Sequence, residues 1–259
     1  MDYFKKYEEN PYADLRWNIP EQKRGKINII GGNSQNFRTI IKASEFISAS
    51  FPIKDLEIIL PDALKSKLPN LPNFIFLAST ESGSFQDKKE LEEAINSADM
   101  NILIGDLSKN SVTGKAVLGA SENSAKPLII TRDTVDLISE NHPDRLLMNP
   151  EISFFLTTAQ LQKLLRSVYY PKMLLLSQSL VQVTEILHKF TLSYPVSIIT
   201  LHNEQVLVAK NGSVQALPLE KTGYSPMTFW FGEAVVKVAV YNLFNPNQFI
   251  EASISGLFS

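Results

Sequence analysis

Short apolar runs alternate with amphipathic segments along most of this chain, and that alternation constrains the fold more than any other feature. Each run has three to five residues, the length of a short buried strand. The runs are 26–30, 56–60, 74–77, 101–104, 128–131 and 154–156. Apolar residues at helical spacing occupy 37–50, 88–97, 159–168 and 172–190. Buried strands that alternate with helices predict an α/β fold with a mostly parallel sheet covered on both faces.

The pattern changes after Pro195. Three further strand-like runs follow one another through short polar turns: 196–200, 206–209 and 214–217. Asn211-Gly212 between the last two is a strong hairpin signal. We therefore expect a C-terminal antiparallel β-meander at the edge of the parallel sheet. Two helices are predicted to close the chain, at 233–243 and 248–258.

The composition argues against several classes of protein. A net charge of -2 gives no general attraction to nucleic acid or to anionic lipid. No apolar run reaches the roughly 20 residues of a membrane helix, so we expect a cytoplasmic protein. The chain has no cysteine, which excludes disulfides and thiolate metal sites. The three histidines, His142, His188 and His202, lack nearby partner ligands in the sequence, so no metal centre is predicted.

The 259 residues are expected to form one domain, at 26–259, preceded by an N-terminal arm at 1–25. The arm contains Tyr3, Phe4, Tyr7 and Tyr12 among charged residues. Disordered segments are poor in aromatic residues. The arm is therefore predicted to pack either on the body of the protein or on a neighbouring subunit.

The junction Gly223–Glu233 precedes a predicted helix, where free backbone N–H groups and the helix dipole favour an anion. Here Phe229, Trp230 and Phe231 crowd the approach. Trp230 and its neighbours could stack on an adenine, form an interface, or fill a vacated nucleotide site as core. Glu233 could be a general base, or it could only stabilise the positive end of the helix dipole.

Gly31-Gly32-Asn33 follows the first predicted strand of the body. In open α/β sheets, ligands bind at the carboxyl ends of the strands. The glycines therefore line a substrate pocket or form only a tight turn between strand and helix.

Several segments resemble the ribokinase-like superfamily and, within it, the ADP- or ATP-dependent NAD(P)H-hydrate dehydratases. The order of elements is the same, and the resemblance covers nearly the whole chain. The segment Lys23–Asn33 is similar to the family's Lys-Gly element and its strand ending in Gly-Gly-Ser. The segments 101–105 and 126–133 resemble the strands at its Gly-Pro-Gly-Leu-Gly and Asp-Ala-Asp motifs, and 222–227 resembles Thr-Gly-Asn-Pro-Gly-Met.

The resemblance implies a ribokinase-like three-layer sandwich, a homo-oligomer built partly through the arm, and a nucleotide or dinucleotide ligand. If the protein is active, it implies ADP or ATP with Mg²⁺ as cofactor. By position in the family motifs, Glu233 is the catalytic residue. The implied nucleotide-binding residues are Gly232, Thr200 and Asn203. The implied substrate-binding residues are Gly32, Asn33, Gly105 and Asp106.

The sequence differs from the family in four motifs that carry its catalysis and ligand binding. Trp230–Glu233 stands where the family has Gly-Gly-Ser-Gly-Asp, and Asp106 follows Gly105 where the family has Pro. Thr158-Ala159-Gln160 lacks the family's His and Glu, and Thr200–Glu204 lacks its Lys and glycines. These changes predict lost or much weakened catalysis and a ligand-binding or structural role. The alternative is an active dehydratase or small-molecule kinase that uses Glu233 as general base.

Overall fold

The computed structural model describes residues 2–69 and 71–259, except for the side chain of Trp17. Within these residues, ten strands form one sheet that is covered by eight α-helices. The strands are β1 (Phe4–Lys6), β2 (Arg24–Gly31), β3 (Ile53–Pro61), β4 (Phe74–Leu77), β5 (Met100–Gly105), β6 (Leu128–Thr131), β7 (Ile152–Phe155), β8 (Ser197–His202), β9 (Gln205–Lys210) and β10 (Ser213–Pro218). The helices are α1 (Arg38–Ser50), α2 (Lys88–Asn96), α3 (Ser111–Glu122), α4 (Asp133–Ser139), α5 (Thr158–Ser167), α6 (Leu180–Ser193), α7 (Glu233–Phe244) and α8 (Phe249–Phe258).

The order of strands across the sheet is β1-β10-β9-β8-β7-β6-β5-β2-β3-β4. All neighbouring pairs are parallel except those made by β9, which runs antiparallel to both β8 and β10. The α/β class, the mostly parallel sheet and the C-terminal meander are therefore confirmed. Asn211 and Gly212 both have positive φ, at 50° and 76°, as a tight hairpin turn requires. The outermost position beside the meander belongs to β1, which comes from the N-terminal arm.

The two faces of the sheet carry separate apolar clusters. Ile29 and Ile102 face α1, α7 and α8, whereas Ile30 and Leu103 face the layer formed by α2 to α6. Successive side chains on a strand point to opposite faces, so strands buried on both faces read as continuous apolar runs. This arrangement confirms the predicted three-layer sandwich. In the described part of the chain, no helix combines the length and the apolar character needed to cross a membrane.

One predicted helix is wrong at its start. The segment 172–190 was expected to be helical throughout, but α6 begins only at Leu180. The Ser179 hydroxyl accepts from the backbone N–H of Gln182, and the Gln182 side chain accepts from the N–H of Ser179. This reciprocal capping box fixes the start of the helix, and the chain between Pro171 and Ser179 is irregular.

The chain direction across the sheet reverses beside β2. From β2 the chain continues outward to β3 and β4, and it then returns to place β5 on the other side of β2. Loops that leave two such strands diverge to opposite faces and open a crevice at the carboxyl ends. The topology therefore places a crevice above Gly31 and Gly105.

Candidate functional site

Glycines allow the ends of β2 and β5 to approach closely. The N–H of Gly32 donates to the carbonyl oxygen of Gly105 at 2.9 Å. A side-chain carbon at Gly31 would lie 2.4 Å from that same oxygen, and one at Gly105 would lie 2.1 Å from Oδ1 of Asp133. No real side chain fits at such distances, so glycine is required at both positions for this contact.

Asn33 braces the loop that leads from β2 into α1. Its Oδ1 accepts from the N–H groups of Gln35 and Asn36 at 2.8 and 3.0 Å. Its Nδ2 donates to the carbonyl oxygen of Asp106 at 2.7 Å. Asn33 is buried, and it joins the loop after β2 to the loop after β5. The structure thus brings together Gly32, Asn33, Gly105 and Asp106, whose substrate-binding role stays a prediction.

Asp133 occupies the backbone donors of the loop after β5. Its two carboxylate oxygens accept from the N–H groups of Asp106 and Leu107 at 2.8 and 2.9 Å. Burial raises the pKa of the Asp133 carboxyl above its ordinary value, although these two hydrogen bonds act in the opposite direction. These two donors are therefore already satisfied from within the chain.

Arg132 joins three loops at the carboxyl edge of the sheet. Its Nη2 donates to Oδ1 of Asp106 at 2.9 Å, and its Nη1 donates to the carbonyl oxygen of Trp230 at 3.4 Å. Its backbone has φ 57° and ψ -141°, a conformation that is strained for any residue except glycine. Its Nε is buried and has no hydrogen-bond partner among the described residues. The guanidinium therefore spans the space between the loop after β5 and the loop before α7.

A cavity of about 470 Å³ lies between these loops and the start of α1. The residues that line it are Gln35, Asn36, Phe37, Arg38, Thr39, Asp106 and Arg132. α1 starts at Arg38 without a side-chain cap and without an acidic residue in its first turn. The positive end of the α1 dipole thus lies beside two arginines and one carboxylate. We call this space the α1 cavity.

The predicted catalytic residue, Glu233, is the first residue of α7 and is exposed. Gly232 precedes it with φ 110° and offers no side-chain cap to the helix. Burial, with a smaller contribution from the charge of Glu233, raises the pKa of Tyr224 to about 12. Burial lowers the pKa of Lys237, whose ammonium lies 5.4 Å from the centre of the Tyr224 ring. Glu233 is not among the residues that line the α1 cavity.

The three aromatic residues before Gly232 have different environments. Phe229 is fully buried and stacks on Phe155 with 4.9 Å between ring centres. Trp230 packs edge-on against both rings, at 5.3 Å from Phe155 and 4.9 Å from Phe229. Phe231 is 54% exposed. Phe229 is therefore a core residue, and Trp230 extends that core to the carboxyl edge of the sheet.

Two of the three predicted nucleotide-binding residues, Thr200 and Asn203, lie in the meander, whereas Gly232 precedes α7, close to Thr39 and Ala43 of α1. Thr200 is fully buried in β8, so its side chain cannot contact a ligand in this conformation. Asn203 is exposed in the turn between β8 and β9, with φ 48°. A second cavity, of about 440 Å³, is lined by Glu204 and Gln205 of the same turn region and by Tyr224. The nucleotide-binding roles of Gly232, Thr200 and Asn203 stay predictions.

No group of three or more histidine, aspartate or glutamate side chains among residues 2–69 and 71–259 is placed to hold a metal ion. The polar side chains at the carboxyl edge instead form ion pairs and hydrogen bonds with one another, as Arg132 does with Asp106. The carboxyl edge of the sheet can therefore bind a ligand through the hydrogen-bonding groups and charges of its side chains.

Arg38, Arg132 and Asp133 help to form the candidate site, and none of them was predicted from the sequence as a site residue. A signal for Arg38 existed, because a basic residue at a helix start without a cap leaves the positive dipole end uncompensated. A weaker signal existed for Arg132, which follows a strand end just as Asp106 does. Residues after the carboxyl ends of neighbouring parallel strands meet at one edge.

No protein-family model matches the sequence, and no curated protein matches it either. Solved structures match over nearly the whole chain. A ribokinase-like superfamily protein from Enterococcus faecalis is 14% identical, with a TM-score of 0.69, and the match covers 100% of this chain and 86% of that one. A hypothetical protein from Streptococcus mutans is 13% identical, with a TM-score of 0.67, covering 97% and 88%. The ADP/ATP-dependent NAD(P)H-hydrate dehydratase from Bacillus subtilis is 12% identical, with a TM-score of 0.60, covering 97% and 86%.

Proposed function

We propose that this chain, which has the ribokinase-like fold, is a divergent NAD(P)H-hydrate dehydratase-like protein that binds a small ligand and has lost or greatly weakened nucleotide-driven dehydration. The main support is that the carboxylate of Asp133 occupies the backbone N–H groups of Asp106 and Leu107 at the carboxyl edge of the sheet, at 2.8 and 2.9 Å. The Bacillus subtilis enzyme was crystallised with ATP and Mg²⁺, so its fold can accept a nucleotide.

The loss of activity follows from how phosphate is bound. A loop that cradles phosphate does so with free backbone N–H groups and little side-chain bulk. Here the N–H groups of Asp106 and Leu107 are bound by Asp133. Trp230 and Phe231 add bulk before α7, where the motif of the family that the sequence resembles has small residues. Both changes reduce recognition by the backbone, whereas the α1 cavity remains open to a ligand.

The proposal is tested by thermal unfolding with 1 mM ATP and Mg²⁺, ADP, or NADPH, each compared with inorganic triphosphate at the same ionic strength. A ligand that binds only the native state stabilises it by mass action. We expect no nucleotide to stabilise the protein more than inorganic triphosphate does. A larger shift with a nucleotide would contradict the loss of the nucleotide site.

Trp230→Gly gives a second arm to this experiment. If Trp230 fills a vacated site, the variant gains a nucleotide-specific shift that the wild type lacks. If Trp230 is a stacking platform, a shift present in the wild type disappears in the variant. Phe231→Gly is the matched control, because Phe231 is exposed and next to it in the chain.

The second candidate is an active dehydratase or small-molecule kinase with Glu233 as general base. It is favoured by the position of Glu233, exposed at the uncapped start of α7. Turnover of hydrated NADPH with ADP or ATP and Mg²⁺ would support this candidate and contradict the first. Glu233→Gln should then lower the rate by about 10²-fold or more, while Glu251→Gln at the start of α8 should not. Full activity in Glu233→Gln would remove Glu233 from the catalytic role.

A further inference from the structure

The α1 cavity concentrates positive charge that the described residues compensate only in part. Arg38 and Arg132 both line it, and Asp106 is the one acidic residue in its lining. Asp106 is already paired with Arg132. Arg38 itself forms no ion pair with any of residues 2–69 and 71–259. Uncompensated charge beside an open cavity is the electrostatic arrangement that attracts an ion of opposite sign.

We propose that the α1 cavity binds a small organic molecule through a phosphate or carboxylate group held by Arg38 and Arg132. This inference rests on the ligand-binding role proposed above for the same cavity. It differs from recognition of a dinucleotide by backbone N–H groups, because the binding groups are two arginine side chains of this chain.

Arg132 is held in place before any ligand arrives. Its carbonyl oxygen accepts from Nε2 of Gln160 at 2.7 Å, and its guanidinium is held by Asp106 and Trp230. Nε is buried, but the contacts with Trp230 and Asp106 use only one N–H of each terminal nitrogen, and 26% of the side chain is exposed. A guanidinium has five N–H donors, so donors remain for an oxyanion. A fixed arginine also loses little conformational entropy when it binds.

The start of α1 adds to the attraction. Phe37 precedes the helix and gives no side-chain cap, and the first turn holds no acidic residue. By contrast, α2 and α3 are capped by Asp87 and Asn110. Arg38 therefore lies at an uncapped positive dipole end, an unfavourable position that a bound anion would relieve.

The other lining residues indicate the size and character of the ligand. The side chains of Gln35 and Asn36 make no hydrogen bonds within the described residues, and their amides are free to bind hydroxyl or carbonyl groups. Phe37 supplies an apolar surface. A cavity of about 470 Å³ is far larger than one phosphate group and falls within the range of small-molecule sites. The ligand is thus an organic anion with polar substituents.

Asp106 competes with this ligand for Arg132. Its carboxylate contacts the guanidinium at 2.9 Å, and only 13% of its side chain is exposed. An incoming anion meets the negative charge of Asp106 and must share the arginine with it. Asp106→Asn removes the competing charge while keeping the shape of the side chain, so it should bind the anion more tightly than the wild type.

The test is calorimetric titration of the full chain, supported by thermal unfolding, at constant ionic strength. The probes are inorganic phosphate, glycerol 3-phosphate and citrate, with glycerol as the uncharged control. Glycerol 3-phosphate and citrate separate a preference for phosphate from a preference for carboxylate. We expect one of the anions to bind, Arg38→Gln and Arg132→Gln to weaken it about tenfold or more, and Asp106→Asn to strengthen it several-fold. Arg166→Gln, on exposed surface of α5, is the matched control.

Arg38→Gln is the decisive variant, because Arg38 is exposed and its loss does not disturb the packing around Arg132. The inference is overturned if no anion binds, or if Arg38→Gln binds as tightly as Arg166→Gln. Its failure is distinguishable from failure of the proposed function. Nucleotide-driven turnover would contradict the proposed loss of activity, whereas anion binding that ignores Arg38 would contradict only the present inference.

Discussion

At the scale of single residues, Gly105 and Asp133 depend on each other. A carboxylate can cap the loop after β5 only if the backbone at Gly105 turns with φ 98° and leaves room for Oδ1. The carboxylate in turn satisfies two backbone N–H groups that would otherwise be unpaired at the edge of the core. The shape of the candidate site is therefore fixed by a missing side chain as much as by those present.

Comparing Gly105→Ala with Gly223→Ala should separate backbone strain from this contact. Both glycines have positive φ, but a side-chain carbon at Gly223 meets nothing within 4 Å. We expect Gly223→Ala to cost about 1–2 kcal/mol, the strain of a left-handed residue. Gly105→Ala should cost about 3–5 kcal/mol, because it also breaks hydrogen bonds to a buried carboxylate. Urea unfolding measures both values, and equal losses would show that the Asp133 contact contributes nothing.

At the scale of elements, the N-terminal arm is joined to the meander through Tyr12. Its hydroxyl donates to Oε1 of Gln215 in β10 at 3.0 Å, and its ring packs edge-on against Tyr7. Burial, followed by the hydrogen bond with Tyr7, raises the pKa of Tyr12 from 10.0 to about 12. The folded protein therefore keeps the phenol proton at a pH at which the unfolded chain releases it.

This shift predicts an alkaline loss of stability. The contribution of Tyr12 is complete below pH 10 and is lost as the pH rises through about 12, because the folded state favours the protonated phenol. Tyr12→Phe should lower stability by about 1 kcal/mol at neutral pH, through the lost hydrogen bonds with Gln215 and Tyr7, and should flatten the fall above pH 10. Denaturant unfolding between pH 8 and 11.5 measures this. A slope as steep in Tyr12→Phe as in the wild type would assign the pH dependence to other groups. Tyr224→Phe is the comparison variant, because burial also raises the pKa of Tyr224 to about 12.

Which elements could be predicted from sequence depends on how their side chains are buried. The strands 74–77 and 128–131 were predicted to the residue, because an apolar run between polar turns admits few other interpretations. α3 was missed: Gly114 and Gly119 lower its helix propensity, and it is buried on more than one side, which blurs the 3.6-residue period. α4 has seven residues, too few to establish a period.

The candidate site was predictable in position but not in chemistry. Asn33 and Asp106 follow the ends of two strands, and parallel strands bring such residues to one edge. Asp106 forms an ion pair with Arg132, which is 26 positions away in the sequence. This pair depends on a positive φ at Arg132, which no sequence pattern predicts. Pairings of this kind depend on the assembled sheet rather than on local sequence.

At the scale of the whole molecule, the arm completes the sheet of its own chain. β1 runs parallel to β10, and the N–H of Val214 donates to the carbonyl oxygen of Tyr3 at 2.7 Å. The ring of Tyr3 stacks on His188 in α6, with 4.0 Å between ring centres. The arm therefore packs on the body of the protein, the first of the two positions expected from its aromatic content. Assembly into a homo-oligomer stays a proposal. The contacts of the arm described above are all made within its own chain.

Removing residues 2–8 should consequently lower folding stability in every oligomeric state. The truncation deletes β1, exposes the edge of β10 and removes the stack on His188, so both apolar burial and a ladder of backbone hydrogen bonds are lost. We expect a Tm about 5 °C lower or more, with the same decrease at low and high protein concentration. Light scattering on the same samples gives the mass of the assembly. A decrease in Tm that appears only at high protein concentration, together with a smaller assembly, would instead place the arm between subunits, because only contacts between chains depend on protein concentration.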